Sequence, residues 1–411
     1  MKLQPLAPLI PRKILLLDTG REWGGGTNSL LELLKRVDRS RFDITLLYYE
    51  DVRMGDGPSI GTVIGSLGFP FLLKGRRAIP AWAKAAKEAA RITAGWSRSL
   101  RARAVFAVDF RWRIRADADA ITRVLREGRF DLLYMNNQPS TNLEGIVAAA
   151  DCGIPSVQHA RSFGSLTPAE LRIVNRHLGR MICVSEGLRG AYAAQGVDPE
   201  RMTVVHNGID PSARPDRPGR EIRAEMGIEE GAFVVGTVGS LRRRKHVDLL
   251  IRSLARVARN VPGGVVGLIV GAGPERAALE EEARRAGIGD SCRFTGFRGD
   301  SFSCLDAMDI VALASESEGL PRVLLEAMLL SKPVVASRVT GCEDLVVDGE
   351  TGLLVPFGDE TRLADALERL AADAGERARM GRIGRERVLS GFTVDRYVRG
   401  VESVLAEMAG V

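Results

Sequence analysis

The sequence predicts an α/β protein built from two doubly wound domains, and three observations carry that expectation. Apolar runs of four to seven residues, rich in Val, Ile and Leu and lacking polar alternation, recur with helical patterns between them; such runs are strands covered on both faces. The series occurs twice along the chain. A length of 411 residues exceeds one ordinary core and suits two domains of about 200 residues each.

The first series is "KILLLD", "DITLLYY", "DLLYMN", "PSVQH" and "RMICVS". The second is "FVVGTVG", "VVGLIVG", "CRFTG", "DIVALAS", "PVVAS" and "TGLLVP". Strand-helix-strand repetition implies right-handed crossovers and parallel sheets. Between the series lies "VVHNGIDPSARPDRPGR", whose Pro, Gly, Asn and Asp suit a connection. The expected division is residues 1–207, residues 208–392, and a final helix at 393–411 able to pack on either domain. Two Rossmann-like domains facing across a cleft would bind ligands beyond the carboxyl ends of their strands.

Composition narrows the classes. The 45 glycines and the 5% aromatic content fit many tight strand-to-helix turns. Cys152, Cys183, Cys292, Cys304 and Cys342 have no paired spacing and the four histidines are scattered, so reduced thiols and no metal site are expected. The start, "MKLQPLAPLIPRKILLLD", is broken by prolines and does not read as a signal peptide. No run approaches the roughly 20 apolar residues of a membrane span. The expected location is cytoplasmic, at or near the inner face of the membrane. Net charge is +6, and residues 74–115 hold twelve Lys/Arg against Glu88 and Asp109. That block, interleaved with Trp and Phe, reads in part as an amphipathic helix on an anionic membrane surface. A solvated helical face with its tryptophans tucked inward is the competing reading. Nucleic acid is not an expected partner, since no recognition motif accompanies the charge.

The most informative stretch is "ESEGLPRVLLEAM". "DIVALAS" ends as a strand, Glu318 lies in the loop beyond it, and Pro321 suits the first position of a helix. Glu326 then lies about one and a half turns inside that helix. The N–H groups of Arg322 and Val323 point out of the helix start, where the dipole favours an anion. A diphosphate there puts one end of its ligand near Glu318 and the other near Glu326. Carboxylates accept hydrogen bonds from vicinal hydroxyls, so the pattern fits a nucleotide sugar: sugar at Glu318, ribose at Glu326. The plainer alternative is a first-turn acid and a solvated helix residue.

The stretch "SESEGLPRVLLEAMLLSKPVVASRVTGCEDLVVDGETGLLVPFGD" resembles the signature of the retaining glycosyltransferases of family 4, which have the GT-B fold. "VVHNGID", "VGSLRRRKHVDLLI", "LIVGAGPERAALEEEARRAGI" and "CRFTGFRGD" extend the likeness over residues 180–360. The first half resembles the family in patches: "DTGREWGGGTNSLLELL", "GIPSVQHARSF" and "ICVSEGLRGAY". The resemblance implies a nucleoside-diphosphate sugar donor, transfer with retention, no divalent metal and no further cofactor. It implies Glu318 on the donor sugar's hydroxyls and Glu326 on the ribose. Lys245 matches the lysine of the basic pair that neutralises the diphosphate. Ser240 stands where the family's arginine usually is, leaving Arg242, Arg243 and Arg244 as candidates to replace it. "EGLP" also departs from the commoner "EGFG", so Gly319, Leu320, Arg322 and Val323 must carry the phosphate contacts.

Further sites follow from the first domain. Gly24, Gly25 and Gly26 let backbone approach a ligand at a helix N-terminus; by resemblance this loop nears the donor phosphate and the acceptor. His159 ends "PSVQH" and matches a family histidine near the reacting centre. Base recognition is expected around Phe297 and Arg298. "GAGPER" lacks the third glycine of a dinucleotide fingerprint, and "DADAD" at Asp117 and Asp119 reads as helix, not as a metal site. The expected reaction moves a hexose or related sugar to a glycan or lipid-linked glycan in cell-surface polysaccharide synthesis, with closure about Asn207–Asp210 excluding water. A nucleotide-sugar epimerase on the same fold and a non-catalytic sugar-nucleotide-binding partner are the alternatives.

Overall fold

The computed structural model describes residues 10–20, 23–53, 55, 57–75, 77, 80–93 and 98–411. The leader expectation for residues 1–9, and Trp96 and Arg76 of the basic block, lie outside them. The chain divides into two compact units. The first takes residues up to Val184, Arg189–Val205 and Val398–Val411; the second takes Ser185–Leu188 and His206–Tyr397.

The first unit holds β1 (Arg12–Asp18), β2 (Phe42–Tyr48), β3 (Phe71–Leu73), β4 (Leu132–Asn137), β5 (Ser156–Ala160), β6 (Arg180–Cys183) and β7 (Met202–Val204). They form one sheet in the order β3-β2-β1-β4-β5-β6-β7, with parallel pairing throughout. Ile14, Leu15, Leu16 and Leu17 are fully buried, as a strand covered on both faces requires. The order reverses direction between β1 and β4.

The second unit holds β8 (Val234–Val238), β9 (Val266–Val270), β10 (Cys292–Gly296), β11 (Ile310–Leu313), β12 (Val334–Ser337) and β13 (Gly352–Val355). This sheet is also parallel, in the order β10-β9-β8-β11-β12-β13, and reverses between β8 and β11. Its core packs Val235, Ile269 and Ile310 against Leu250, Leu254 and Leu367 of the covering helices. β3 and β7 are the strands that the apolar runs do not announce. Each is three residues long and lies at a sheet edge, with one neighbour and a weak burial pattern.

Two glycines explain "GAGPER" without a nucleotide. A Cβ on Gly271 (φ +141°) would stand 1.8 Å from the Gly239 carbonyl oxygen, and one on Gly273 would stand 2.2 Å from that of Leu241. The loop after β9 thus lies directly against the loop after β8, tied by Leu241 N–H donating to Ala272 O at 2.9 Å.

The basic block folds as helices Ala81–Thr93 and Arg98–Asp109, then a π-helical turn Phe110–Ile114 that runs into helix Arg115–Gly128. It is less bare than its composition suggests. Asp117 is buried in the last helix and receives Lys74 at 2.5 Å and Arg77 at 3.1 Å. Lys87 pairs with Asp109, Arg113 with Glu144, and Arg115 with Asp119 and Asp151. The tryptophans divide: Trp112 is buried under Lys87, whereas Trp82 is exposed.

Candidate active site

A doubly wound sheet opens a crevice where its strand order reverses, because the flanking crossovers leave on opposite faces. In the second unit that point lies between the carboxyl ends of β8 and β11, and the predicted residues collect there. After β8 the chain passes Gly239 and Ser240, turns through a 3-10 segment at Arg243–Lys245, and enters helix Val247–Asn260. His246 adopts φ +44° to make that entry and rests edge-on against Phe357 at 4.9 Å. After β11 the chain passes Ser315 to Leu320 and enters helix Arg322–Leu329. Pro321 caps this helix instead of occupying its first turn, since its ψ of 112° is extended. Glu316 N–H donates to Arg244 O at 2.9 Å and ties the two loops together.

Lys245 Nζ donates to Glu318 Oε1 at 2.5 Å, with only 14% and 9% of the two side chains exposed. Arg242, Arg243 and Arg244 are exposed, and of this run Lys245 alone turns inward. The second cation near the helix start is instead Arg322. Its guanidinium lies 3.5 Å from Glu326 Oε1 and donates to Gly208 O at 3.3 Å. Glu326 is half-buried, and burial raises its pKa above the ordinary carboxylate range; Arg322 pulls in the other direction. Asn207 Nδ2 donates to Leu320 O at 3.1 Å, fixing the loop that carries Gly319.

Phe297 and Arg298 separate. Phe297 is exposed, but the Arg298 guanidinium is committed to Glu225 and Asp300, and both ion pairs hold it firmly protonated. The Arg298 side chain serves a surface salt-bridge network, so any contact to a base at this turn would have to come from backbone or from Phe297, as expected.

Gly341 shapes the same loop from outside. It sits at φ +79°, and a Cβ there would stand 2.0 Å from the Gly319 carbonyl oxygen. Gly341→Ala must therefore displace Glu318–Leu320. Displacements of this size at a reacting centre cost on the order of a hundred-fold in rate. We expect the catalytic rate to fall by that amount, and the left-handed backbone to cost roughly 1–3 kcal/mol of stability. Steady-state rates and thermal unfolding check the two effects together.

The first unit has a corresponding point between β1 and β4. Asp18 ends β1, is buried, and accepts from Asn136 Nδ2 at 2.6 Å, Asn137 Nδ2 at 2.9 Å and Gly20 N–H at 2.9 Å. Burial raises its pKa against these contacts. Arg161 follows β5 and donates from Nε to Asn136 Oδ1 at 2.8 Å. Gly24 caps helix Gly25–Arg36, and a Cβ on Gly26 would lie 3.4 Å from Arg161 Cγ. The Gly-rich turn thus lies over a polar cluster that sequence reasoning missed. Asp18 and Asn136 are 118 residues apart along the chain and meet through the β1–β4 pairing, and Arg161 joins them across β4–β5.

His159 is corrected by the same geometry. It stands in β5 as expected but is 0% exposed, enclosed between β4 and β6. Its Nδ1 shares a hydrogen bond of 2.6 Å with the Tyr134 hydroxyl, and burial keeps the ring neutral. Its carbonyl oxygen accepts from Gln158 Nε2 at 3.4 Å. Of the two contacts expected of His159, imidazole or backbone, this burial removes the imidazole one; Arg161 is the cation at that strand end.

Residues 219–387 match the family Glycosyl transferases group 1, and residues 86–213 match Glycosyltransferase Family 4. The chain is 32% identical over 289 residues to the alpha-maltose-1-phosphate synthase of Mycolicibacterium smegmatis, covering 62% of this chain and 73% of that protein. The chain belongs to glycosyltransferase family 4. The chain is also 34% identical over 230 residues to the D-inositol 3-phosphate glycosyltransferase of Kribbella flavida, covering 52% of this chain and 54% of the relative. It thus spans about half the length of the first curated relatives it matches. Among solved structures, Anabaena HepE in complex with UDP and glucose superposes with a TM-score of 0.77 at 23% identity, covering 96% of this chain and 100% of that one. The sucrose-phosphate synthase of Thermosynechococcus elongatus gives 0.72 at 18% identity, covering 97% and 99%. At these identities the likeness is one of fold: two Rossmann-like domains of the GT-B type.

Proposed function

We propose that this glycosyltransferase moves a sugar from a nucleoside-diphosphate donor to a glycan or lipid-linked glycan acceptor, with retention and without a divalent metal. The observation that carries the reading is the enclosed Lys245–Glu318 pair at the β8/β11 reversal, with Glu326 five residues into the adjoining helix. In the reaction the bond from the sugar's anomeric carbon to the diphosphate oxygen breaks, and that oxygen gains negative charge. Lys245 offsets the charge; Glu318, released from Lys245, accepts hydrogen bonds from sugar hydroxyls; Glu326 accepts them from ribose. As the acceptor hydroxyl bonds to the anomeric carbon, its proton passes to the departing diphosphate oxygen. Retention would require this bond to form on the face the diphosphate leaves. Arg322 replaces the arginine that Ser240 lacks, although from the opposite loop.

The relatives support glycosyl transfer in general, and their names give differing acceptors, small molecules among them. They include a Bacillus anthracis N-acetyl-alpha-D-glucosaminyl L-malate synthase and a Rhizobium meliloti lipopolysaccharide core glycosyltransferase. HepE structures with UDP and with UDP-glucose make UDP-sugars the first donors to test. A role in cell-surface polysaccharide synthesis at the inner membrane face is part of this reading. Among the described residues, no helix is long and apolar enough to cross a membrane. Thermal unfolding with UDP-, GDP-, ADP- and dTDP-sugars tests the donor site. A donor at 100 times its dissociation constant adds about 2.7 kcal/mol of stability. A shift with one base supports the reading and selects the donor for an acceptor screen; no shift across the panel counts against it.

A further inference from the structure

His246 adjoins Lys245 in a conformation that the helix it begins does not explain. Among the described residues, the non-glycines at positive φ are Arg129, Asn137, His246 and Ser331. Arg129 and Ser331 follow helix ends, where left-handed backbone is routine. His246 instead caps the start of helix Val247–Asn260 at φ +44° and ψ +45°, where an N-cap is ordinarily extended. Its side chain makes no capping bond to that helix. The left-handed backbone therefore serves the position of the ring, and strain of this kind gathers at functional sites.

The ring joins three loops at the carboxyl ends of the second sheet. It belongs to the loop after β8, and it meets Phe357, in the loop after β13, edge-on at 4.9 Å. Nδ1 faces Asp248 Oδ1 at 3.8 Å. Nε2 faces Glu316 Oε2 at 3.8 Å, in the loop after β11. Asp248 is fixed from its other side: Oδ2 accepts from Arg252 at 3.1 Å, and Arg252 also engages Glu282 and Glu360. Glu316 has a side chain 60% exposed and, among the described residues, pairs with no other cation. A ring carrying both protons thus links an anchored carboxylate beside Lys245 to the loop that bears Glu318 two residues further on.

We propose that His246 is a positioning residue: bridging Asp248 to Glu316 against Phe357, its ring sets the separation of the loops that carry Lys245 and Glu318. The inference rests on the reading of that pair as the contacts to the diphosphate and the donor sugar. The backbone bond from Glu316 N–H to Arg244 O, at 2.9 Å, ties the same loops by main chain alone. The ring adds a tie from the side-chain face.

His246→Gly is the decisive variant, because glycine enters left-handed backbone freely and is accepted at an N-cap. It keeps the turn and removes the ring. The donor is whichever of UDP-, GDP-, ADP- and dTDP-glucose stabilises the full-length wild type against heat. The rate is release of its diphosphate with water as acceptor: the anomeric carbon bonds to the water oxygen, and a water proton passes to the departing diphosphate oxygen. We expect His246→Gly to unfold close to the wild type. It should bind the donor within about two-fold and turn over roughly ten-fold more slowly, short of the hundred-fold that an ångström of misplacement costs. Glu316→Gln should slow turnover several-fold, and adding it to His246→Gly should cost little more, since both remove one bridge. Unchanged turnover in His246→Gly overturns the inference and leaves the donor site standing. A loss confined to donor affinity also overturns it, because the ring would then touch the donor. Additive losses for the two variants overturn the bridge to Glu316. No stabilisation by any of the donors, or binding without release by the wild type, removes the reading of the Lys245–Glu318 pair and this inference with it.

Discussion

Lys245→Met is expected to lower sugar transfer on the order of a hundred- to a thousand-fold, mostly in kcat. In the proposed reaction the cation acts on charge that develops as the diphosphate departs, so its loss would be felt more in the transition state than in the bound donor. The same substitution leaves Glu318, 9% exposed, without its ion-pair partner. We expect roughly 1–3 kcal/mol of lost stability, below the full cost of breaking a wholly buried pair. Lys245→Met/Glu318→Gln should recover much of that stability and none of the rate. Lys245→Arg should recover only part of the rate, since a planar fork does not reproduce the position of an ammonium group. Steady-state kinetics with thermal unfolding separates the two losses; a Lys245→Met enzyme with unchanged kcat would remove Lys245 from the reacting set.

Glu326→Gln is expected to weaken donor binding about ten- to a hundred-fold, the worth of a charge-assisted hydrogen bond to a ribose hydroxyl. The same carboxylate gives binding a pH dependence. Burial raises the Glu326 pKa, so acidification neutralises it at a higher pH than it would an exposed glutamate. Donor affinity should therefore fall as pH drops, starting above the usual carboxylate range. Arg322 is the cation facing Glu326, and it lowers that pKa. Arg322→Met should shift the acid limb further upward, while Glu326→Gln should flatten it. Calorimetric donor titrations between about pH 5 and 8 read the wild type and both variants. An unmoved limb in Arg322→Met would show that the contact does not set the ionisation of Glu326.

The two Rossmann-like units were legible because parallel strands are buried on both faces and write themselves as unbroken Val/Ile/Leu runs. The edge strands Phe71–Leu73 and Met202–Val204 were not, because three residues with one neighbour need little apolar length. The placement of Glu318 in the loop after β11 and of Glu326 inside the next helix was legible from spacing, while Lys245 was singled out by the family resemblance. The contact between Lys245 and Glu318 was not legible, since 73 residues separate them and only the β8–β11 pairing brings their loops together. His159 shows the same limit from the other side. Its place at a strand end follows from the sequence, but its enclosure depends on Tyr134, which belongs to the neighbouring strand. Arg322 was anticipated through its backbone N–H; the reach of its side chain to Gly208 depends on where the connecting segment lies.

The last helix, Val394–Ala409, begins in the second unit and is completed in the first. Val401, Val404 and Leu405 are buried there, Gly400 lies against Val205, and Gly179 lies against Met408. Arg180 pairs with Glu407 across the same contact. A donor-specificity chimera that exchanged everything after Val205 for a relative's second half would therefore also replace a piece of its own first half. Recombination that respects the molecule must make two cuts, one near Val205 and one near Tyr397, and return the native tail. In this chain the interchangeable cassette is an internal insert, flanked on both sides by parts of the same first unit.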